Sequence, residues 1–250
     1  MEPGTSCHDE HVTAQAPTIL ATSMGLNRAR EPWQPGPVFE YAFDLARPAG
    51  TPKLCLLATA GGDQGETLAR FAAAFADQPV ELSHLELYDK PNVGDVTAHL
   101  HSQDVIWVDR GSLVNLLAVW RAHRFDVVLR DCWEAGVVLA GESAGSLCWF
   151  VSGTTDSFGP LQAVHDGLKF LPYANAVHYA DRREHLHQLV KDQELPAGYA
   201  TDTGAGLHFE RTELVAAIGD RKNAGAYWVE RQADGSVMET ALEVRRLKRS

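Results

Sequence analysis

The 250-residue chain lacks any apolar run of about 18 residues, the length that a membrane-spanning helix needs. Its first residues also lack a basic segment followed by an apolar one, which is the pattern of a secretory signal. No run of lysine or arginine is long enough to follow a phosphate backbone, and the net charge is −11. These absences argue against a membrane span, against secretion and against nucleic acid as a partner, and they predict a soluble, cytoplasmic protein.

Cysteine is scarce, and no Cys-x-x-Cys pair is present. Three of the four cysteines fall in apolar segments, which is typical of reduced thiols in a protein core. A disulfide framework or a zinc site would need closer or paired spacing. We therefore expect no structural disulfide and no metal. The four are Cys7, Cys55, Cys132 and Cys148.

Apolar runs that are typical of buried strands alternate with segments of helical spacing over the first 150 or so residues. Lys53 to Thr59 and Asp104 to Val108 are two such runs, and this alternation predicts a doubly wound, mostly parallel α/β sheet flanked by helices. Leu214 to Ile218 and Ala226 to Arg231 add a small C-terminal part of β-hairpin character. Residues 1–17 are predicted to be a disordered tail, and residues 18–250 a single domain.

The pentapeptide Gly141-Glu142-Ser143-Ala144-Gly145 stands between two apolar runs, and it predicts a strand, a sharp turn and a helix. That arrangement is a nucleophile elbow, which exposes the serine hydroxyl on a strained corner. The two glycines let the strand and the helix pass closely, and the Ala144 N–H can face an oxyanion beside Ser143. An ordinary strand-to-helix turn with small residues is the alternative.

A serine nucleophile needs a base, most often a histidine. His178 and His208 are the strongest of the eleven histidines, because both belong to strand patterns after the elbow. His178 ends its strand, where a sheet presents catalytic groups. His208, between Leu207 and Phe209, is the better candidate for a structural role.

The elbow, His178-Tyr179 and an acidic turn before Gly204 together resemble peptidase E, the family of α-aspartyl dipeptidases to which cyanophycinases are related. The resemblance covers nearly the whole chain after Ala16, and it includes residues 133–141, 155–159, 177–179 and 204–209. It implies a fold similar to the class I glutamine amidotransferases and a serine peptidase that needs no cofactor. The implied substrate is a short peptide, above all a dipeptide with an N-terminal aspartate, and the implied state is a monomer or homodimer.

By the same resemblance, Ser143 attacks the peptide carbonyl and His178 acts as the base. Gly111 and Ala144 offer N–H groups to the oxyanion. Arg182 or Arg183 pairs with the aspartyl side chain of the substrate, with a solvated helix start as the alternative for each.

Three places depart from the family pattern. One consists of Glu142, which precedes the nucleophile, and Ala180, which follows His178-Tyr179 where relatives often have an acid. Asp109-Arg110-Gly111 stands where the family usually has three glycines, and Thr203 occupies the position of the acid that orients the histidine. Asp202, one residue earlier, is the first choice for that acid, and Thr203 is the alternative. These departures motivate a second hypothesis, a weakly active or inactive homologue that binds a small ligand or partner in the same pocket. An α/β-hydrolase esterase is disfavoured, because that fold places its acid before its histidine.

Overall fold

A computed structural model describes residue 14 and residues 16–248 of the chain. The predicted tail, residues 1–17, lies almost wholly outside these residues, as does Cys7. The strands are β1 (Thr18–Thr22), β2 (Lys53–Leu57), β3 (Glu81–Leu85), β4 (Val105–Val108), β5 (Val138–Glu142), β6 (Phe150–Thr155), β7 (Gln162–Val164), β8 (Leu171–Val177), β9 (Gly198–Thr201), β10 (Ala205–Glu210), β11 (Glu213–Gly219), β12 (Ala226–Arg231), β13 (Val237–Ala241) and β14 (Val244–Arg246). The α-helices are α1 (Pro37–Ala46), α2 (Gly65–Phe75), α3 (Val96–His101), α4 (Leu113–Ala122), α5 (Phe125–Glu134), α6 (Ala144–Leu147) and α7 (Arg183–Lys191).

The larger sheet has eight strands in the order β3-β2-β4-β5-β1-β10-β11-β14. Strands β3, β2, β4, β5 and β1 run parallel, and each central strand is buried on both faces. In β4, for example, Trp107 packs on Phe39 of α1, while Ile106 faces the core on the opposite side of the sheet. Two-sided burial explains why these strands are continuous apolar runs. The predicted α/β fold is confirmed.

A second sheet of six strands, in the order β7-β6-β8-β9-β12-β13, was not predicted. The apolar run after the elbow forms only the single turn α6, and the chain then enters β6 at Phe150. The two C-terminal runs are both strands, but they lie in different sheets: β11 pairs with β10 and β14, whereas β12 pairs with β9 and β13. The β-hairpin character therefore comes from β10–β11 and β12–β13.

The cysteines that the structure describes are free and buried, as the apolar segments around them predict. Burial raises the pKa of the Cys55 and Cys132 thiols to about 12, and it also raises that of Cys148. A thiol with a raised pKa is a poor nucleophile at neutral pH. The chemistry of the site must therefore come from other residues.

The carboxyl ends of several strands meet at one edge of the molecule. Strand β5 ends at the elbow, β4 ends before Asp109, β8 ends before His178, and Thr203 lies in the turn between β9 and β10. The sequence motifs are therefore gathered where parallel sheets usually bind ligands. Among the described residues, none of the helices combines the length and the apolar character needed to cross a bilayer.

Candidate active site

Ser143 lies at the corner between β5 and α6 in a conformation that is rare for a residue with a side chain. Its φ is 60° and its ψ is −108°. The Ser143 N–H donates to the Thr22 carbonyl at 3.0 Å, and the Ser143 carbonyl accepts from the N–H groups of Ser146 and Leu147. Strained backbone held by such contacts is typical of functional sites, and here it has the form of a nucleophile elbow.

The glycines on either side of Ser143 are required by close backbone contacts. A Cβ on Gly141 would lie 2.4 Å from the Gly145 carbonyl oxygen, and one on Gly145 would lie 2.1 Å from that of Val108. Neither distance is possible between a carbon and an oxygen that are not bonded to each other. Only glycine at these two positions therefore lets β4, β5 and α6 approach so closely. The elbow therefore depends on the exact spacing found in the sequence.

His178 lies next to the serine. Its Nε2 is 3.3 Å from the Ser143 Oγ, a hydrogen-bonding distance for an unliganded nucleophile and base. His208 lies elsewhere: it is 3% exposed within β10, and its Nδ1 is 2.9 Å from the Tyr41 hydroxyl. Burial lowers the pKa of His208 to about 4. The structure thus brings His178, and not His208, to the nucleophile.

The residue that contacts the far side of the His178 ring is Thr203. Its Oγ1 is 2.9 Å from His178 Nδ1. The Asp202 carboxylate instead accepts from the Gly225 N–H at 3.1 Å and from the Tyr227 hydroxyl at 3.2 Å. The first choice of Asp202 as the orienting group is therefore corrected to the alternative, Thr203. The contacts of Asp202 with Gly225 and Tyr227 direct its side chain away from the ring, and only Thr203 reaches His178.

Ser23, at the end of β1, holds the histidine and the threonine turn together. Its hydroxyl lies 2.8 Å from the Thr201 Oγ1 and accepts from the His178 N–H at 3.4 Å. Its carbonyl accepts from the Gly204 N–H at 2.9 Å. A buried serine thus links three chain segments, and it explains how Thr203 is placed against His178 without a charged partner.

The two hydrogen-bond contacts of His178 allow the tautomer that suits a base. When Nδ1–H donates to the Thr203 oxygen, Nε2 carries the lone pair and can accept the Ser143 proton. Burial lowers the pKa of His178, and the charges of Arg182 and Arg110 lower it further, against the opposite effects of Asp156 and Asp181. The neutral, proton-accepting ring is therefore the form present at pH 7.

Arg182 and Arg183, the arginines expected to bind the substrate, are both engaged elsewhere. Arg182 donates to the Thr154 carbonyl and pairs with Asp156 at 3.0 Å. Arg183 pairs with Glu239 at 2.8 Å and lies over the rings of Tyr179 and Tyr227. Each arginine therefore already has a carboxylate partner, and the binding of a substrate carboxylate by either one stays a prediction.

A buried ion cluster beside the nucleophile was missed. Arg28 donates to Glu142 at 2.6 Å and to Asp109, and all three side chains are at most 12% exposed. Burial lowers the pKa of Arg28, but the two carboxylates raise it by more. Burial raises the pKa of Glu142, and Arg28 opposes that change. Glu142 and Asp109 were visible as unusual residues in their motifs, whereas nothing in the loop around Arg28 indicated its role.

Some of these groups line a cavity of about 430 Å³. Its wall includes Arg28, Arg110, Glu142, His178 and Thr203. The size is typical of sites for small ligands. Within the described residues, no group of three or more histidine, cysteine or acidic side chains is arranged to hold a metal ion.

Gly111 lies at the end of the β4 loop with φ +149°, and a Cβ there would lie 2.2 Å from the Ala60 carbonyl oxygen. The N–H groups of Gly111 and Ala144 donate no hydrogen bond to any residue in the described part of the chain. Free N–H groups beside a nucleophile are the usual components of an oxyanion hole, and Gly111 follows β4, the strand that pairs with β5 up to Gly141.

Comparison with known proteins agrees with this geometry. The sequence model of peptidase family S51 matches residues 32–216. An uncharacterized peptidase of Bacillus subtilis (strain 168), YgaJ, is 41% identical over 199 residues, which are 78% of this chain and 85% of YgaJ.

Two solved structures share the fold. A protein of Listeria monocytogenes EGD-e that is described as a peptidase E has a TM-score of 0.53 and 16% identity, with 90% of this chain and 98% of that one covered. A peptidase from an acI-B1 Actinobacterium has a TM-score of 0.63 and 15% identity, with coverage of 94% and 96%. The family match extends over most of the chain and includes the elbow and His178, and the chain therefore belongs to peptidase family S51.

Proposed function

We propose that the protein is a serine-type dipeptidase that hydrolyses short peptides, with dipeptides carrying an N-terminal aspartate as the preferred substrates. The observation that carries the proposal is the continuous contact from Ser143 Oγ through the His178 ring to Thr203 Oγ1. Membership of peptidase family S51 supports the reaction class, and the resemblance to α-aspartyl dipeptidases supports the substrate.

In the proposed mechanism, Ser143 Oγ attacks the scissile carbonyl carbon while His178 Nε2 takes the hydroxyl proton. The negative charge on the carbonyl oxygen is stabilised by the N–H groups of Gly111 and Ala144. The imidazolium then gives its proton to the leaving amine as the carbon–nitrogen bond breaks. Water attacks the acyl ester, His178 accepts a proton from that water, and the proton returns to Ser143 Oγ as the acid product leaves.

Thr203 orients the base without supplying a charge. In this mechanism its hydroxyl accepts the Nδ1–H of His178, 2.9 Å away, and orients the ring, but it cannot stabilise the imidazolium as a carboxylate does. This neutral partner also favours a second candidate function, in which a weakly active homologue uses the cavity mainly to bind a small ligand. The two candidates differ in one measurable respect: only the peptidase turns over a dipeptide.

The test is a panel of dipeptides incubated with purified protein, with release of free amino acids measured by mass spectrometry. We expect Asp-x dipeptides to be hydrolysed, and the matched Asn-x and Ala-x dipeptides to be hydrolysed more slowly. Folded protein that binds an Asp-x dipeptide and releases no product would favour the second candidate. Turnover that prefers uncharged dipeptides would reject the aspartyl specificity.

Substitution of the orienting threonine distinguishes it from its acidic neighbour. Thr203→Val removes the hydroxyl at nearly constant volume, and the loss of one hydrogen bond predicts a fall in kcat of about tenfold. Asp202→Asn keeps an acceptor for Gly225 and Tyr227, so we expect kcat within about twofold. Steady-state kinetics of both variants give the comparison. A larger loss in Asp202→Asn would return the orienting role to the carboxylate.

The pH dependence follows from the lowered pKa of His178. The neutral ring is the active form, so kcat/KM should rise with pH and level off, with a midpoint below the ordinary histidine value of about 6.5. The profile can be measured with an Asp-x dipeptide between about pH 4 and 8 in buffers of constant ionic strength. A midpoint above 7 would indicate a raised pKa, as expected for a histidine paired with a carboxylate, and would contradict this geometry.

A further inference from the structure

Arg110 is a charged residue of the cavity wall that has no role in the proposed mechanism. It stands between Asp109, whose carboxylate is held by Arg28, and Gly111, whose N–H faces the oxyanion in the proposed mechanism. The side chain is exposed and shares the cavity with His178 and Glu142. Arg110 directly precedes Gly111 in the sequence, so its side chain belongs to the same loop as the proposed oxyanion donor.

The other guanidinium groups around the site have carboxylate partners. Arg28 is bound by Asp109 and Glu142, and Arg182 is bound by Asp156. The remaining two follow the same pattern: Arg183 pairs with Glu239, and Arg221 lies 3.8 Å from Asp220. Among the described residues Arg110 forms no ion pair and no hydrogen bond, although its positive charge lowers the pKa of Glu142 and of His178.

We propose that Arg110 binds a carboxylate of the substrate next to the scissile bond and so holds short peptides in the cavity. The proposal rests on the proposed peptidase function and assigns a specificity residue to it. Arginine suits the task, because its planar guanidinium donates two parallel hydrogen bonds to one carboxylate. Arg182 and Arg183 already have carboxylate partners, whereas Arg110 forms no such ion pair among the described residues.

Two carboxylates of a dipeptide such as Asp-Ala can fill this place: the aspartyl side chain and the C-terminal group. Peptides that lack one of the two carboxylates show which of them is bound. Asn-Ala lacks the side-chain carboxylate, and Asp-Ala amide lacks the C-terminal one. Comparison of the three peptides therefore identifies which group Arg110 binds.

Binding is best measured without turnover, by calorimetry on the full chain carrying Ser143→Ala. We expect the additional change Arg110→Gln to raise the Kd for Asp-Ala by about 10- to 100-fold, the effect of losing a charged hydrogen-bond partner. Arg110→Lys keeps the positive charge but cannot donate two parallel hydrogen bonds. Its Kd for Asp-Ala should therefore lie between that of the parent protein and that of Arg110→Gln. The Kd of the peptide that lacks the bound carboxylate should not change with Arg110→Gln.

Arg211→Gln is the matched control, because it removes the same charge from the turn after β10. That turn lies beside Thr18 at the amino end of β1, whereas the candidate active site lies at the carboxyl end of this strand. We expect its Kd for Asp-Ala to stay within about twofold of the parent, since exposed distant charges are screened.

Equal Kd values with and without Arg110→Gln would overturn the proposal, and so would equal losses in Arg110→Gln and Arg211→Gln. Failure of Ser143→Ala protein to bind any of the three peptides would overturn it as well. Binding that depends on Arg110, in a wild-type protein that releases no product, would support Arg110 and reject the peptidase function, so the two failures are distinguishable.

Discussion

Replacement of Ser143 by alanine is expected to lower kcat/KM for an Asp-x dipeptide by about 10⁴- to 10⁶-fold, the range found when the nucleophile of a serine hydrolase is removed. The reason is structural: Ser143 Oγ is the hydroxyl within hydrogen-bonding distance of His178 Nε2. The backbone should be unaffected, because the contacts that hold the elbow are made by the main chain of Ser143. The melting temperature is therefore expected to stay close to that of the wild type.

The measurement is steady-state hydrolysis of one Asp-x dipeptide, with thermal unfolding of each variant beside it. Ser102→Ala is a suitable control, because Ser102 is an exposed serine whose hydroxyl bonds only locally, donating to the His99 carbonyl and accepting from Gln103 Nε2. We expect wild-type kinetics from it. Activity that survives in Ser143→Ala at more than about a hundredth of the wild-type value would require another nucleophile.

The second large effect is expected from His178→Gln. Glutamine approximates the size of the ring but cannot accept the Ser143 proton and return it, so kcat should fall by about 10⁴-fold or more while KM changes little. Such a split between kcat and KM is the signature of a group that acts in the transition state.

His208→Gln is the matched control for this substitution. His208 is buried in β10 and bonded to Tyr41, so its loss should lower the melting temperature and leave kcat per folded molecule nearly unchanged. Loss of kcat in His208→Gln with normal kcat in His178→Gln would reverse the assignment of the base.

The fold was predictable where local pattern decides structure. Continuous apolar runs such as that around Cys55 indicated two-sided strands, and β2 is buried as they require. The second sheet was not predictable, because the pairing of β8 with β6 and β9 depends on partners distant in sequence. The short α6 reflects the same problem: periodicity does not separate a buried helix from a buried strand in a brief apolar run.

The site was predictable up to the points where side-chain direction matters. Ser143 and His178 carry strong motifs, and the structure places them side by side. The choice between Asp202 and Thr203 depends on which of two neighbours faces the ring, and a shift of one residue reverses that choice. The sequence could not show that Arg183 is taken by Glu239, since that partner belongs to β13 of the unpredicted sheet.

Arg28 illustrates a role that no local signal could indicate. It is an ordinary arginine in an irregular loop, and its partners Asp109 and Glu142 are 81 and 114 residues away. Removal of one member of such a buried cluster leaves an uncompensated charge, which makes the cluster important for the shape of the site. Only the three-dimensional arrangement brings the loop onto the ends of β4 and β5.

The central claim is that Ser143 is a nucleophile activated by His178. The most direct measurement is covalent labelling by a fluorophosphonate, followed by proteolysis and mass spectrometry of the labelled peptide. An activated serine reacts with this probe whatever peptide the enzyme prefers, so we predict a single label on Ser143 that His178→Gln strongly reduces. Folded protein that takes up no label, or that carries it on another residue, would contradict the account.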